Sequence, residues 1–200
     1  MTRDDVFAEI KNLSLDERPQ RLAEVVHEFQ KDKSGAEYID HPKRVAQNAK
    51  ILATRLTLES KLIESALAVA WLHDVIEDSA DEPLGAVTEK DLIDMGFSSE
   101  TIGAVVLLTR IKGEKDKSAY YRRLNNNHLA RLVKIADVAD NRNFERRADL
   151  SPSDASYFER KYAHALELLQ LNETELEFYE KRIHLPIVLN QQAEEELAGL

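Results

Sequence analysis

Apolar residues recur at spacings of three and four along most of this chain, and few residues interrupt the pattern. Only 6 glycines and 5 prolines occur in 200 residues. Such spacing follows one face of an α-helix, whereas a half-buried strand would alternate apolar and polar residues. The pattern predicts an all-α fold, a bundle of roughly eight to ten helices. Its length and its 43% apolar content suffice for one domain.

Capping residues and prolines set the predicted helix boundaries. Ser14 and Glu17 form a capping-box pattern before the first predicted helix. The segment 57–78 is apolar on nearly every face, which predicts a central helix. The predicted helices are 15–29, 42–56, 57–78, 88–95, 99–109, 119–125, 129–143, 152–171 and 173–183. We expect one domain over residues 1–200, with its core at about 22–143 and C-terminal helices at about 152–198.

Composition excludes several functional classes. The net charge is −10, from 27 Lys and Arg against 37 Asp and Glu, so a broad nucleic-acid-binding surface is not expected. The chain has no cysteine, which restricts any metal site to histidine and carboxylate ligands. No signal-like apolar core and no apolar run of ~18 residues occurs, so we expect a cytoplasmic protein without a membrane anchor.

The densest ionisable segment is 73–78, with the sequence His-Asp-Val-Ile-Glu-Asp. On a continuous helix, its histidine and three carboxylates share an arc of about 140°. They are His73, Asp74, Glu77 and Asp78. Three acids that follow a buried apolar helix repel one another and are costly without a cation. A bound metal ion explains the cluster, and a solvated helix end is the alternative.

Two residues elsewhere in the chain have the chemistry to complete such a site. His41 lies at a predicted helix start, and Asp137 lies within the apolar stripe of the helix predicted at 129–143. An acid in an apolar stripe is generally buried and paired. Asp137 is therefore either a metal ligand or the ion-pair partner of Lys134.

The order of these motifs resembles the histidine-aspartate (HD) phosphohydrolase superfamily. It resembles most closely the hydrolase domain of the RelA/SpoT alarmone enzymes and the small alarmone hydrolases, over about residues 22–143. The motifs that carry the resemblance are His27-x-x-Gln30, Lys33-Ser34-Gly35 leading to Tyr38-Ile39-x-His41-Pro42, His73-Asp74-x-x-Glu77-Asp78, and Lys134-x-Ala136-Asp137 followed by Asn141.

The resemblance implies an HD-type helical domain and a specific reaction. That reaction is hydrolysis of the 3′-pyrophosphate of guanosine tetra- or pentaphosphate, giving GDP or GTP and pyrophosphate. The implied metal is Mn²⁺, although the donor set also suits Fe²⁺, Co²⁺ or Zn²⁺. The implied ligands are His41, His73, Asp74 and Asp137. The implied substrate-binding residues are Lys33, Ser34, Lys134, Asn141 and Arg142.

Glu77 and Asp78 carry the catalytic roles that the resemblance implies. They orient the attacking water and deliver a proton to the leaving oxygen. The expected partner is a small nucleotide, with no nucleic acid and no membrane, and a homo-oligomer is an open alternative.

One departure from the family concerns the substrate. Many alarmone hydrolases have an arginine that stacks on guanine where this chain has Asp32. This substitution favours a second hypothesis, an HD phosphohydrolase that acts on another nucleotide such as a nucleoside monophosphate. A non-catalytic nucleotide sensor is a third hypothesis. A purely structural helical protein would leave the acid cluster unexplained.

Several further groups are predicted to be structural. His27 is expected to support the pocket without binding the metal. A basic run is expected to be a solvated loop; it comprises Lys112, Lys115, Lys117, Arg122 and Arg123. An aromatic stripe is expected to be core or a subunit contact; it comprises Tyr157, Phe158, Tyr162, Leu166 and Leu169.

Overall fold

The computed structural model describes residues 2–148 and 150–185, and it confirms the all-α prediction. Within these ranges there are twelve α-helices and one short 3₁₀ helix, Ser79–Asp81. The α-helices are α1 Arg3–Lys11, α2 Arg18–Val26, α3 Asp40–Arg55, α4 Ser60–Leu72, α5 Val75–Asp78, α6 Glu89–Asp94, α7 Ser99–Leu108, α8 Lys117–Asn125, α9 His128–Arg142, α10 Phe144–Ala148, α11 Pro152–Leu169 and α12 Glu173–His184.

The helix count exceeds the predicted eight to ten because three short elements were not anticipated. They are α1, α5 and α10. Helix α1 begins with a capping box between Thr2 and Asp5. At Ser14 and Glu17 only half of a capping box forms: the Ser14 amide donates to Glu17 Oε2 at 3.1 Å, but the Glu17 amide donates to the Ser14 carbonyl oxygen and not to the Ser14 hydroxyl. The residues between them make a turn, and α2 starts only at Arg18.

The predicted helix 57–78 is divided in two at the densest part of the ionisable segment. Helix α4 ends at Leu72, and α5 starts at Val75. The His73 Nδ1 atom lies 2.7 Å from the Ala70 carbonyl oxygen, the acceptor that the Asp74 amide would use in a continuous helix. The prediction of one helix to Asp78 was wrong because this side chain competes for a backbone acceptor.

Helix α9 lies at the centre of the packing. It contacts α3, α4, α7, α8, α10, α11 and α12, and nearly all of its residues from Leu129 to Asp140 are buried. Helices α3 and α4 also pack closely against each other. This arrangement brings the start of α3, the end of α4 and the middle of α9 to one place.

Two remaining expectations concern the ends and the surface of the chain. Among the residues that the structure describes, none of the helices is both long and apolar enough to cross a membrane. Helices α11 and α12 begin where predicted, at residues 152 and 173. The expected continuation of the C-terminal helices to about residue 198 lies outside the described residues.

Candidate metal centre and adjoining cavities

His41, His73 and Asp74 form a group suited to bind a metal ion. His41 is in the first turn of α3, and the other two residues lie between α4 and α5. One ligand atom from each residue lies within 4.8 Å of the other two. The Asp74 Oδ2 atom is 3.0 Å from His73 Nε2 and 3.8 Å from His41 Nε2. Mixed imidazole and carboxylate donors suit a divalent transition metal.

Hydrogen bonds at the opposite nitrogens aim both imidazoles into the group. His41 Nδ1 lies 2.7 Å from Asp140 Oδ2, and His73 Nδ1 lies 2.7 Å from the Ala70 carbonyl oxygen. Such contacts fix the tautomer of a metal-binding histidine. The Nε2 atom of His73 is buried and lies 3.0 Å from Asp74 Oδ2, but not in the geometry of a hydrogen bond, so it has no hydrogen-bond partner among the described residues. An orphaned imidazole nitrogen that faces a carboxylate fits a metal ligand.

The electrostatics of the group favour a positive charge. Burial lowers the pKa of His73, but the Asp74 and Asp137 carboxylates outweigh burial and raise it to about 9. Tyr38 Oη donates to Asp74 Oδ2 at 2.6 Å. Burial and the neighbouring carboxylates raise the pKa of Tyr38, so its hydroxyl remains a donor. The carboxylates thus hold protons on both ring systems, and a cation would meet the same field.

Asp137 lies beside the group and is an ion-pair partner of Lys134 as well. Its Oδ1 atom is 3.2 Å from His41 Nε2 and accepts a hydrogen bond from Asn141 Nδ2, while its Oδ2 accepts from Lys134 Nζ at 2.7 Å. Burial opposes ionisation, but Lys134 and His41 hold the pKa of Asp137 well below its usual range. The two sequence-based alternatives for Asp137 are compatible, because its two oxygens face different partners.

Asp140 organises a buried network that the sequence-based analysis did not identify. Besides His41, its carboxylate accepts from Arg44 Nε and from an Arg146 Nη atom, both at 2.7 Å. Burial opposes ionisation, but these partners hold the pKa of Asp140 below its usual range. Its position in the sequence could have indicated this role, because Asp140 follows Asp137 by about one helical turn and so lies on the same face of the helix.

Glu77 and Asp78 lie on α5, at the mouth of the site. Glu77 is exposed, and its Oε2 atom accepts from the Arg110 amide at 3.1 Å. Asp78 Oδ2 accepts from Gln30 Nε2 at 3.0 Å, and the side-chain oxygen Oε1 of Gln30 in turn lies 2.6 Å from His27 Nδ1. Burial and the Asp74 charge raise the pKa of Asp78 to about 6. His27 is fully buried one contact behind Asp78, which agrees with the expected supporting position.

A cavity of about 170 Å³ opens over these residues, and we call it the cluster cavity. Four carboxylates and the cations Arg110, Lys134 and Lys161 line it together. Its complete lining is Tyr38, His41, His73, Asp74, Glu77, Asp78, Leu108, Arg110, Tyr120, Lys134, Asp137, Asn141, Lys161 and Tyr162. Arg110 and Lys161 were not predicted as site residues, because neither belongs to a motif.

The motif residues Lys33 and Ser34 line a second cavity, of about 210 Å³, which we call the motif cavity. It adjoins the cluster cavity, since Tyr38, Asn141 and Tyr162 line both. Lys33 Nζ lies 4.6 Å from the centre of the Phe158 ring.

Asp32 also lines the motif cavity, but its carboxylate is engaged. Asp32 Oδ1 accepts from the Ser34 amide at 2.8 Å, and Oδ2 lies 3.5 Å from an Arg146 Nη atom. Arg142 is placed elsewhere: it pairs with Glu159 of α11 and lines neither of the two cavities. Arg146, one turn beyond Arg142, is the arginine at the motif cavity.

The two groups predicted to be structural have different outcomes. In the basic run, Arg122 pairs with Asp116 and Arg123 pairs with Glu114, but both arginines lie on helix α8, so the expectation of a loop was wrong for this part of the run. The aromatic stripe is only partly core. Leu169 is buried, whereas Tyr157 is 51% exposed and lines a third cavity. The rings of the first part of the stripe therefore face cavities beside the site.

Within the described residues, an all-helical fold buries an imidazole and carboxylate group at a cavity that three cations also line, and this combination is typical of a metal-dependent phosphohydrolase. The family described as the HD domain matches residues 38–142, just over half of the 200 residues, and the chain belongs to this family. HD domains bind divalent metals, and the matched range contains all four residues predicted as ligands. None of the curated proteins matches the chain.

Proposed function

We propose that the chain hydrolyses the 3′-pyrophosphate of guanosine tetra- or pentaphosphate, with Mn²⁺ as its metal. One observation carries this proposal: the motif cavity, which contains Lys33, Ser34 and Asn141, adjoins the cluster cavity. Both sets of residues come from motifs shared with alarmone hydrolases, and they lie far apart in the sequence. A nucleotide that spans the two cavities would place a phosphoryl group over His41, His73 and Asp74.

The proposed metal ligands are His41, His73, Asp74 and Asp137. A divalent ion held there would supply Lewis-acid polarisation of a phosphoryl oxygen and activation of water. Asp140 keeps His41 Nε2 directed into the group, and Tyr38 holds one oxygen of Asp74.

Glu77 and Asp78 are proposed to handle the water and the proton. Asp78 Oδ2 is occupied by Gln30, so a proton held by this carboxyl sits on Oδ1. From there it would pass to the leaving 3′-oxygen of the ribose as the bond to phosphorus breaks. The exposed Glu77 carboxylate would orient the attacking water, whose oxygen bonds to the phosphorus as the water gives up one proton to solvent.

The cations that line the cluster cavity would neutralise the substrate phosphates. Lys134 is buried and already paired with Asp137, whereas Arg110 and Lys161 have no salt bridge to a carboxylate within the described ranges. The partner we propose is accordingly a small polyphosphorylated nucleotide, not a nucleic acid.

A second candidate is an HD phosphohydrolase that acts on another nucleotide. The observation that favours it is the engagement of Asp32 with Ser34 and Arg146, which leaves no stacking cation at the position where alarmone hydrolases carry arginine. In this case the metal group and the roles of Glu77 and Asp78 stay the same, and only the leaving group differs.

Anion-exchange analysis of products tests both candidates. Metal-free protein is incubated with each of ppGpp, pppGpp, GTP, GMP and dAMP in turn, once with Mn²⁺ and once without it. GDP and pyrophosphate formed from ppGpp only in the presence of Mn²⁺ would support the proposal. Turnover of another nucleotide alone would replace the substrate, and no turnover with any divalent metal would overturn the proposed reaction. Asp74→Ala is the inactive variant, and Asp94→Ala, an exposed residue on α6, is its matched control.

A further inference from the structure

A third cavity, of about 360 Å³, lies next to the cluster cavity between α8 and α11, and we call it the tyrosine cavity. Tyr120, Tyr121 and Tyr157 line it. Arg110, Tyr120 and Lys161 line both this cavity and the cluster cavity, so the two adjoin. Its volume falls in the range of ~300–1,000 Å³ that is usual for small-molecule sites. No motif predicted it.

The charge of the tyrosine cavity is unusual for a chain with a net charge of −10. Arg110, Arg160 and Lys161 all line it, and none of them forms a salt bridge with a carboxylate of the described residues. The one carboxylate of its lining belongs to Glu114, which Arg123 binds through both Nη atoms at 2.5 and 2.8 Å. The remaining cations are therefore available to an anion.

The position of Lys161 strengthens this interpretation. Its Nζ atom lies 5.0 Å from the centre of the Tyr162 ring and 5.5 Å from that of Phe158, so aromatic rings surround it. Burial, together with the charges of Arg110 and Lys134, lowers the pKa of Lys161 to about 8. Glu77 and Asp137 offset only part of this repulsion at Lys161, and a bound anion would relieve more of it.

The motif cavity differs from the tyrosine cavity in its volume and in the pairing of its arginine. It is smaller, at about 210 Å³, and its arginine, Arg146, is already bonded to Asp140 and close to Asp32. An additional phosphate would therefore meet more unpaired positive charge in the tyrosine cavity than in the motif cavity.

We propose that the tyrosine cavity binds a second phosphate or diphosphate group of the substrate, separate from the one that reacts over the cluster. Arg110 and Lys161 would contact this group, with Arg160 at the rim. This inference rests on the proposed function, because it takes the reacting phosphoryl group to lie over the cluster. It specifies a substrate phosphorylated at two positions, and it makes Arg110 and Lys161 determinants of specificity.

A binding series tests the cavity without catalysis. Guanosine, GMP and GDP are titrated calorimetrically into the metal-free protein. We expect the Kd to fall at least tenfold from guanosine to GDP in the wild type. In Lys161→Gln and Arg110→Gln, we expect that improvement to fall below threefold.

Matched variants separate loss of charge from loss of fold. Lys50→Gln removes an exposed lysine of α3 that does not line the tyrosine cavity, and it should keep the tenfold decrease of the Kd from guanosine to GDP. Lys161→Arg keeps the positive charge and should keep most of the decrease of the Kd from guanosine to GDP. An unchanged series in Lys161→Gln and Arg110→Gln, or a flat series in the wild type, would overturn the proposal.

Kinetics of the same variants distinguish this inference from the proposed function. If ppGpp is hydrolysed, Lys161→Gln should raise KM at least tenfold and change kcat less than threefold. Hydrolysis with an unchanged KM in that variant would refute the cavity assignment and leave the reaction intact. If the wild type hydrolyses none of the panel but the binding series depends on Lys161, the proposed reaction fails and the phosphate site stands.

Discussion

Replacing Asp140 by asparagine should destabilise the protein strongly although the change is nearly isosteric. The Asp140 side chain is 3% exposed and accepts from His41, Arg44 and Arg146 at 2.7 Å each. Asparagine keeps one acceptor oxygen, so at least one of the two guanidinium groups loses its hydrogen bond to this residue. A charge-assisted hydrogen bond contributes ~1.5–3 kcal/mol, and leaving one partner of a buried ion pair alone costs ~3–5 kcal/mol.

Both arginines remain 15–19% exposed, so water relieves part of this cost. We therefore expect a loss of about 3 kcal/mol in the free energy of unfolding. Urea denaturation of the metal-free protein at pH 7, followed by circular dichroism, measures it. Asp94→Asn is the matched control, because its exposed pair with Lys90 contributes at most ~1 kcal/mol.

The pH dependence provides a second check on Asp140. Its pKa in the folded protein lies below the ordinary value, so its contribution to stability is complete above pH about 4 and is lost as the pH falls further. The difference in the free energy of unfolding between wild type and Asp140→Asn should become smaller below pH about 4. The reasoning is refuted if Asp140→Asn loses no more stability at pH 7 than Asp94→Asn does.

Three further predictions concern the metal, the tyrosine cavity and the core. Asp74→Ala and Asp137→Ala should abolish retention of Mn²⁺ while Glu77→Ala retains it and loses turnover; metal analysis that gives the reverse would contradict these roles. GDP binding should weaken as the pH rises through about 8, because Lys161 loses its proton there. The charged and titratable groups around Lys161 are Arg110, Lys134, Asp137, Glu77 and His164. Lys161→Arg should remove this pH dependence between pH 7 and 9. Leu52→Ala in α3, fully buried, should cost ~2–5 kcal/mol in urea denaturation, whereas a loss below 1 kcal/mol would contradict the packing.

The sequence alone determined the helical class and the longest elements. Helix α9, for example, was predicted at 129–143 and lies at His128–Arg142. Such predictions succeed because helical periodicity and capping depend on residues three or four positions apart. Each HD motif is itself a short stretch of sequence, so His41, His73 and Asp74 can be identified without the structure, although only the fold brings them together.

The tertiary structure decided how the site is oriented and charged. It breaks the helix at His73 through a bond to Ala70, and it places Asp140 behind His41. It also brings Arg110 and Lys161 to adjoining cavities from positions that share no motif. These features depend on side chains from different helices that meet in a buried, low-dielectric space, where their charges interact strongly. Hydrophobic periodicity predicts each helix, but it does not predict which helices pack against one another.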